Sequence, residues 1–468
     1  MSYIPLTFSR LVRAPLDFLV AAIVVVTTVT RMLASRTKVG SKSLGLIVLD
    51  TSYSIAQVQE RELQWSITAR GCDGLFDRVW SVHPLVGADG STPSFGPLRT
   101  QELVNGHTFV EAHLSTDHRW SRWPMTGFAL SQRALLGYLR TLIRSGQVSA
   151  VRVGDPYFLG LLGYLLARSG GVALTLRVAS DYDAAYEKTG LPTYPRLLRS
   201  RRLEKRIERF ILRRAQLVMA PNLAYRSFAV ANGARPERCA IVPFGGLLHP
   251  AHFDEPSDRP SVRAEAGLSQ RPLVVSVMRL EPVKQAADLV DVLDLVRRDC
   301  PDVACAVVGE GSLREEILTR ADLLNLDDSF FLLGNQSQRW IASMLANADV
   351  VVAPMMGRAL VEAALSGTPI VAYDTDWHGE LIDDGETGIL VPYGDLAAMA
   401  SAVCELLTQR ASGNTMGELA RLRAMDSMSR DTVMEAEREA WVRLVPHLVC
   451  QGSTHSHRSD KTLGIGPR

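Results

Sequence analysis

From Leu44 onward the chain alternates short apolar runs with segments whose apolar residues recur at three- and four-residue spacing. In the first half the apolar runs are Leu44–Leu49, Val79–His83, Phe109–Ala112, Ala150–Val153, Ala173–Val178, Leu217–Ala220 and Ala240–Val242. Helical periodicity fills Ser54–Thr68, Ser131–Ser145, Leu159–Arg168, Leu203–Ala215 and Leu223–Asn232. Strands apolar on both faces must be covered on both sides, and alternation with helices predicts parallel sheets. The Gly-, Pro- and Ser-rich stretch Val86–Thr108 predicts a long loop.

After a polar connector the alternation resumes. Its strands are Leu273–Val277, Ala304–Val308, Phe330–Leu332, Val350–Ala353, Ile370–Tyr373 and Gly388–Val391. Its helices are Ala286–Arg298, Leu313–Ala321, Gln338–Ala346, Ala359–Ser366 and Leu396–Leu407. A chain of 468 residues is too long for one ordinary core. The expected division is an N-terminal segment 1–40, a first domain 41–250, a linker 251–270, a second domain 271–428, a crossover helix 429–450 and a disordered tail 451–468. The fold class is α/β, with two Rossmann-like, doubly wound domains facing a cleft.

The N-terminus departs from this rhythm. Phe18–Val29 is strongly apolar and lies between Arg10 and Arg13 on one side and Arg31, Arg36 and Lys38 on the other. The run is shorter than the about 20 residues that a spanning helix needs, and Asp17 stands at its edge. It is read as a membrane-inserted or interfacial anchor, an extra packed helix, or a signal peptide. Removing residues 1–38 is expected to shift an anchored protein from the membrane to the soluble fraction.

Composition narrows the functional classes. The formal net charge is +1, which disfavours nucleic-acid binding through bulk charge. Six scattered cysteines form no CxxC pair, as in a reduced cytoplasmic protein without structural zinc. The chain carries no GxxxxGK[ST], no GxGxxG after its first strand and no GxSxG.

The strongest chemical signal is GRALVEAALSGTPIVAYD, Gly357–Asp374. A helix opening just past a buried parallel strand turns free N–H groups into the crevice there, where phosphate-bearing ligands bind. Gly357, Arg358 and Ala359 offer amides, and Glu362, expected in the first turn, offers a carboxylate to sugar hydroxyls. At the end of Leu273–Val277 a loop carries Arg279 and Lys284, two cations suited to a diphosphate. Together these imply a nucleotide-sugar site.

The second half resembles the nucleotide-sugar domain of retaining GT-B glycosyltransferases of the family 4 type. The resembling pieces are Arg279–Gln285 (RLEPVKQ), Val307–Ile317 (VVGEGSLREEI), Phe330–Asn335 (FFLLGN), Ala348–Pro354 (ADVVVAP), the Glu362 segment and Glu380–Asp395 (ELIDDGETGILVPYGD). The resemblance implies that Arg279 and Lys284 contact the donor diphosphate, that Glu362 binds the ribose hydroxyls, and that Gly309, Glu310 and Gly311 lie around the nucleotide. It also implies retention of anomeric configuration and a crossover helix returning to the first domain. Two family features are missing. Pro354 stands eight residues before Glu362, where the family has a second glutamate that holds the donor hexose, and Val178 or Ala179 stands in place of a histidine near the reacting carbon. Asp376 and His378 line the next strand end and are candidates to hold the sugar instead, with capping as the other reading of Asp374 and Asp376.

In the first domain Asp181 and Asp183 are acceptor-side candidates, or caps of their turn, and His83 and His113 read as core histidines. Arg196–Arg214 gives a basic amphipathic helix suited to an anionic membrane surface or an acidic lipid-linked acceptor, or else a solvated face. The expectation is a glycosyltransferase that needs no metal or other cofactor. It would take a nucleoside-diphosphate sugar as donor and a sugar or lipid-linked molecule as acceptor, at the inner face of the cell membrane. An epimerase of the same fold and a degenerate binding subunit are the alternatives.

Overall fold

A computed structural model of the chain describes residues 8–34, 44–50, 54–60, 63–86, 98–103, 106–113, 123–194, 198, 200–268 and 271–445. The expected tail 451–468 lies outside them. Two sheets form. The first has eight strands in the order Arg99–Glu102, His107–His113, Arg78–Val86, Gly45–Leu49, Ala150–Val153, Ala173–Arg177, Leu217–Ala220 and Cys239–Ile241. All its pairings are parallel except that of Arg99–Glu102 with its neighbour. The second, wholly parallel, runs Phe330–Leu332, Ala304–Val308, Leu273–Val277, Val350–Ala353, Ile370–Asp374, Ile389–Pro392.

The strand order fixes where a ligand can sit. In the second sheet the chain builds outward from Leu273–Val277 to Phe330–Leu332, then crosses back to lay Val350–Ala353 on the other flank of Leu273–Val277. The loops leaving these two strands diverge to opposite faces and open a crevice at their carboxyl ends. The Arg279–Lys284 loop and the Gly357 turn are those two loops.

The first sheet is apolar on both sides, as its sequence requires. Ile47 and Leu49 pack into a helical layer with Leu135, Leu139, Leu162 and Leu166, while Leu46 and Val48 face Val433 and Trp441. Those last two belong to the helix Arg430–Leu444, which has returned from the second domain. Its buried Glu437 is paired with Arg152 at 2.5 Å and Arg177 at 3.4 Å.

The apolar N-terminus forms a helix, Phe8–Ala34, packed along the first domain against the helices Pro124–Arg144 and Phe158–Gly170. Asp17 is the hinge of this packing. Its carboxylate accepts from the backbone N–H of Met125 at 3.0 Å and of Thr126 at 2.9 Å, and from the Thr126 hydroxyl at 2.6 Å. The helix Pro124–Arg144 has no side-chain cap of its own at Trp123, so Asp17 satisfies its free donors from outside.

Several expectations are corrected. Ser54–Thr68 is two short helices, Ile55–Glu60 and Gln64–Thr68. The expected loop Val86–Thr108 holds the strand Arg99–Glu102. The helices Tyr182–Thr189 and Arg410–Met428 went unpredicted. The second buries Gly413, Gly417, Ala420 and Ala424 together with Met416, Arg421 and Met428, so small residues make up much of its inner face and weaken the apolar periodicity. A Cβ at Gly417 would lie 2.1 Å from the Gly367 carbonyl oxygen, which shows how close the backbones run.

Candidate active site

The crevice at the switch point holds a cavity of about 720 Å³. Its wall brings together Arg279, Lys284, Gly309, Glu310, Gly357, Arg358, Ala359 and Glu362, segments far apart in the chain. Leu63, Phe244 and Leu247, which precede the second domain, line it as well.

Each group is placed by its local backbone. The strand Leu273–Val277 delivers Arg279 directly, and a single 3-10 turn, Pro282–Lys284, turns Lys284 back over the crevice. The Lys284 ammonium lies 3.7 Å from where a Cβ at Gly357 would stand, an ordinary contact distance that places it directly over the Gly357 turn. Burial pushes the Lys284 pKa down to about 8, helped by nearby Arg279 and opposed by Asp376. Two cations held close in a cleft favour an anion between them.

The helix after the turn spans Arg358–Ala364, so Glu362 falls in its second turn and not, as expected, in its first. There it is 3 % exposed and pairs with Arg358, Nε to Oε1 at 3.3 Å. Arg358 also donates to the Leu247 carbonyl at 3.3 Å. With seven residues the helix has a modest macrodipole, and its free amides and these side chains matter more.

Gly309 sits at φ +142°, and a Cβ there would fall 1.9 Å from the Met278 carbonyl oxygen. A Cβ at Gly311 would lie 2.3 Å from the Leu280 carbonyl oxygen. Both glycines therefore let the two loops touch backbone to backbone. Gly309 reaches the cavity wall, whereas Gly311 is not among the wall residues.

Four further expected residues lie outside the wall. Asp181 caps the helix Tyr182–Thr189 by accepting from the N–H of Asp183 and Ala184. Asp183 pairs with Arg201 at 2.6 Å and with Lys205, so it is bound in an ion network. His378 is fully buried, its ring nitrogens 2.9 Å from the Tyr373 carbonyl and 3.0 Å from the Met356 carbonyl, a brace for the turn before Gly357. Asp376 accepts from the Tyr225 hydroxyl at 2.9 Å, across the domain boundary, and burial pushes its pKa up. His83 is a core residue stacked on Phe109 at 4.4 Å, without a hydrogen-bond partner for either ring nitrogen among the described residues. The side chain of His113 lies outside the described residues.

The basic helix Arg201–Leu212 is divided. Arg201 and Lys205 turn inward to Glu204, Glu208 and Asp183. Arg202, Arg206, Arg209 and Arg213 are exposed.

Sequence reasoning missed other wall residues. Where the family glutamate is absent, the wall is Met355 and Met356, apolar and buried. Gln336 and Gln338 add carboxamides, and Gln338 is held from behind by His252, Nε2 to Oε1 at 3.1 Å. The polar linker gave no local sign that His252 would be buried beside the cleft.

This arrangement, two parallel α/β domains with cations and a carboxylate converging in the gap, defines a GT-B enzyme. The chain belongs to the family 4-type GT-B glycosyltransferases: residues 258–423 match the model for glycosyl transferases group 1, and residues 69–245 match the glycosyl transferase 4-like domain. It is 26% identical over 348 residues to the GDP-mannose-dependent alpha-(1-6)-phosphatidylinositol monomannoside mannosyltransferase of Mycolicibacterium smegmatis, covering 70% of this chain and 87% of that protein. Among solved structures, sucrose-phosphate synthase from Thermosynechococcus elongatus has a TM-score of 0.66 at 16% identity, over 86% of this chain and 99% of that one. Anabaena HepE in complex with UDP and glucose gives 0.64 at 16% identity, over 85% and 98%.

Proposed function

We propose that this glycosyltransferase moves a sugar from a nucleoside-diphosphate sugar to a hydroxyl of a lipid-linked acceptor, with retention, at the inner face of the cell membrane. The observation that carries the donor class is the convergence of Arg279, Lys284 and Glu362 on one cavity at the switch point. A phosphatidylinositol mannoside is named as acceptor for the mycobacterial relative, and this supports the lipid-linked class.

In this reading Glu362 accepts from the ribose hydroxyls and the diphosphate lies between Arg279, Lys284 and the amides of Gly357–Ala359. The bond from the anomeric carbon to the diphosphate oxygen breaks with its electron pair going to that oxygen. The acceptor oxygen forms the new bond on the same face, and its proton passes to the departing phosphate. Arg279 and Lys284 stabilise the negative charge as it develops, so that side chains take the part a metal ion would otherwise play. Gln336 and Gln338 are suited to the polar edge of the base.

Calorimetric titration with UDP, GDP and ADP tests the donor site. One nucleoside diphosphate is expected to bind, and Glu362→Ala is expected to weaken it with the fold intact. Unchanged affinity on Glu362→Ala would sink the assignment. Nucleotide release that depends on added lipid-linked acceptor tests the transfer.

A further inference from the structure

The N-terminal helix is apolar on both sides. Its inner side carries Ala21 and Met32, both buried, and Met32 joins the core of the first domain. Its outer side exposes Leu16, Leu19, Ile23 and Val26, each between 48% and 62% accessible. The segment Pro15–Ala34 is long and apolar enough to cross a membrane by length and composition. Two attachments oppose crossing. Asp17 near one end caps the helix Pro124–Arg144, and Met32 near the other is packed in the core. The 15 residue steps from Asp17 to Met32 span about 22 Å at 1.5 Å each, so the helix is fixed flat along the domain over most of its length.

We infer that this helix is an in-plane membrane-docking surface, its outer face buried in the interfacial region of an anionic bilayer while its inner face stays on the protein. The charge beside it selects the occupant. The helix Phe158–Gly170 packs against both the N-terminal helix and Arg201–Leu212, so the apolar strip and the exposed Arg202, Arg206 and Arg209 share one helical side of the domain. These three arginines have no carboxylate partner among the described residues. An apolar strip flanked by uncompensated arginines matches acyl chains beside anionic headgroups. A second copy of the chain would bring arginines of like sign close together. This inference deepens the membrane-face reading above and names the surface that meets the lipid.

The test uses the full chain with vesicles of phosphatidylcholine alone or mixed with phosphatidylglycerol. Wild type is expected to co-sediment with the mixed vesicles and to be released from them by alkaline carbonate. A Leu19→Ser, Ile23→Ser, Val26→Ser variant is expected to lose binding with an unchanged unfolding temperature. Replacing Arg202, Arg206 and Arg209 by Gln is expected to weaken binding roughly fivefold per arginine, the factor that corresponds to about 1 kcal/mol for each basic residue. Retention in carbonate would show a spanning helix, and undiminished binding of the serine variant would show that another surface docks. A wild-type dimer that the serine variant converts to monomer would assign the strip to a second copy. Each of these results overturns the inference. Titration of the serine variant with UDP and GDP separates it from the donor-site reading, because donor binding is expected to survive.

Discussion

Arg358 and Glu362 face each other one helical turn apart, Nε to Oε1 at 3.3 Å, with the carboxylate 3 % exposed at the back of the cleft. The pair holds the carboxylate in a fixed place and leaves a second oxygen to accept from a ligand. Removing it with Glu362→Ala is expected to cost one or two charged hydrogen bonds, about 1.5–3 kcal/mol each, hence a loss of roughly tenfold to a hundredfold or more in nucleotide affinity. Arg358→Gln keeps a donor near Glu362 but removes the charge, and a loss below about tenfold is expected. Calorimetry on the two variants checks the order.

Lys284 gives the site a pH dependence. Its free-state pKa, pushed down by burial and Arg279 to about 8, rises again when a diphosphate takes the place between the two cations. Binding therefore takes up a proton where the free enzyme has lost one, above about pH 8. Affinity for the nucleoside diphosphate is expected to be flat between pH 7 and 8 and to fall by up to tenfold per unit above that. Titrations at pH 7, 8 and 9 read the slope. In Lys284→Gln the affinity is lower and the slope is expected to vanish.

The two domains are latched beside the cleft. Glu380 of the second domain accepts from the N–H of Leu223 at 2.6 Å and of Ala224 at 2.7 Å, at the start of a first-domain helix whose Tyr225 hydroxyl meets Asp376. A carboxylate at a helix N-terminus across an interface favours the closed arrangement. Glu380→Ala is expected to raise the radius of gyration measured by solution scattering and to lower kcat/KM several-fold. Affinity for the nucleoside diphosphate alone is expected to stay within about twofold, because Glu380 does not line the cavity.

What the sequence disclosed follows range. The strands of both sheets are written in short apolar runs, and the donor loops follow strands directly, so Arg279, Lys284 and Gly357 could be placed from neighbours a few residues away. Contacts made at long range left no such mark. Arg201 and Lys205 read as surface charges because their partner Asp183 lies 18 and 22 residues earlier. Asp17 read only as a charge at the edge of an apolar run because the helix it caps begins more than a hundred residues later. His378 looked like a ligand because the carbonyls that occupy both its nitrogens are contributed by a strand end and a turn. The methionine wall at Met355 and Met356 shows how the missing glutamate is filled: with apolar surface, so the sugar gains little there. Free nucleoside diphosphate is accordingly expected to bind within about threefold of the intact donor, which competition titration would measure.

The crossover helix depends on one buried charge cluster. Glu437 is flanked by Arg152 at 2.5 Å and Arg177 at 3.4 Å, with Glu437 and Arg152 buried in the first domain and Arg177 partly so. Burial alone would push the Glu437 pKa up, but the two guanidiniums outweigh it and hold the carboxyl below its ordinary 4.5. A carboxylate with a depressed folded pKa contributes stability that is complete above its unfolded value and is lost as pH falls through the folded one. Thermal stability is therefore expected to hold from pH 7 down to about 5 as far as this group is concerned, and to drop below about 4.5. Glu437→Ala leaves two arginines buried without their counter-charge, and a loss of about 3–5 kcal/mol is expected at neutral pH. Glu437→Gln keeps the shape but not the charge and is expected to fall between. Denaturant titration of the three proteins at pH 7 and pH 4 checks both claims. The wild-type advantage over Glu437→Gln should shrink at the lower pH, since protonation makes the two side chains nearly equivalent, and an advantage that grew instead would mean the arginines are compensated elsewhere.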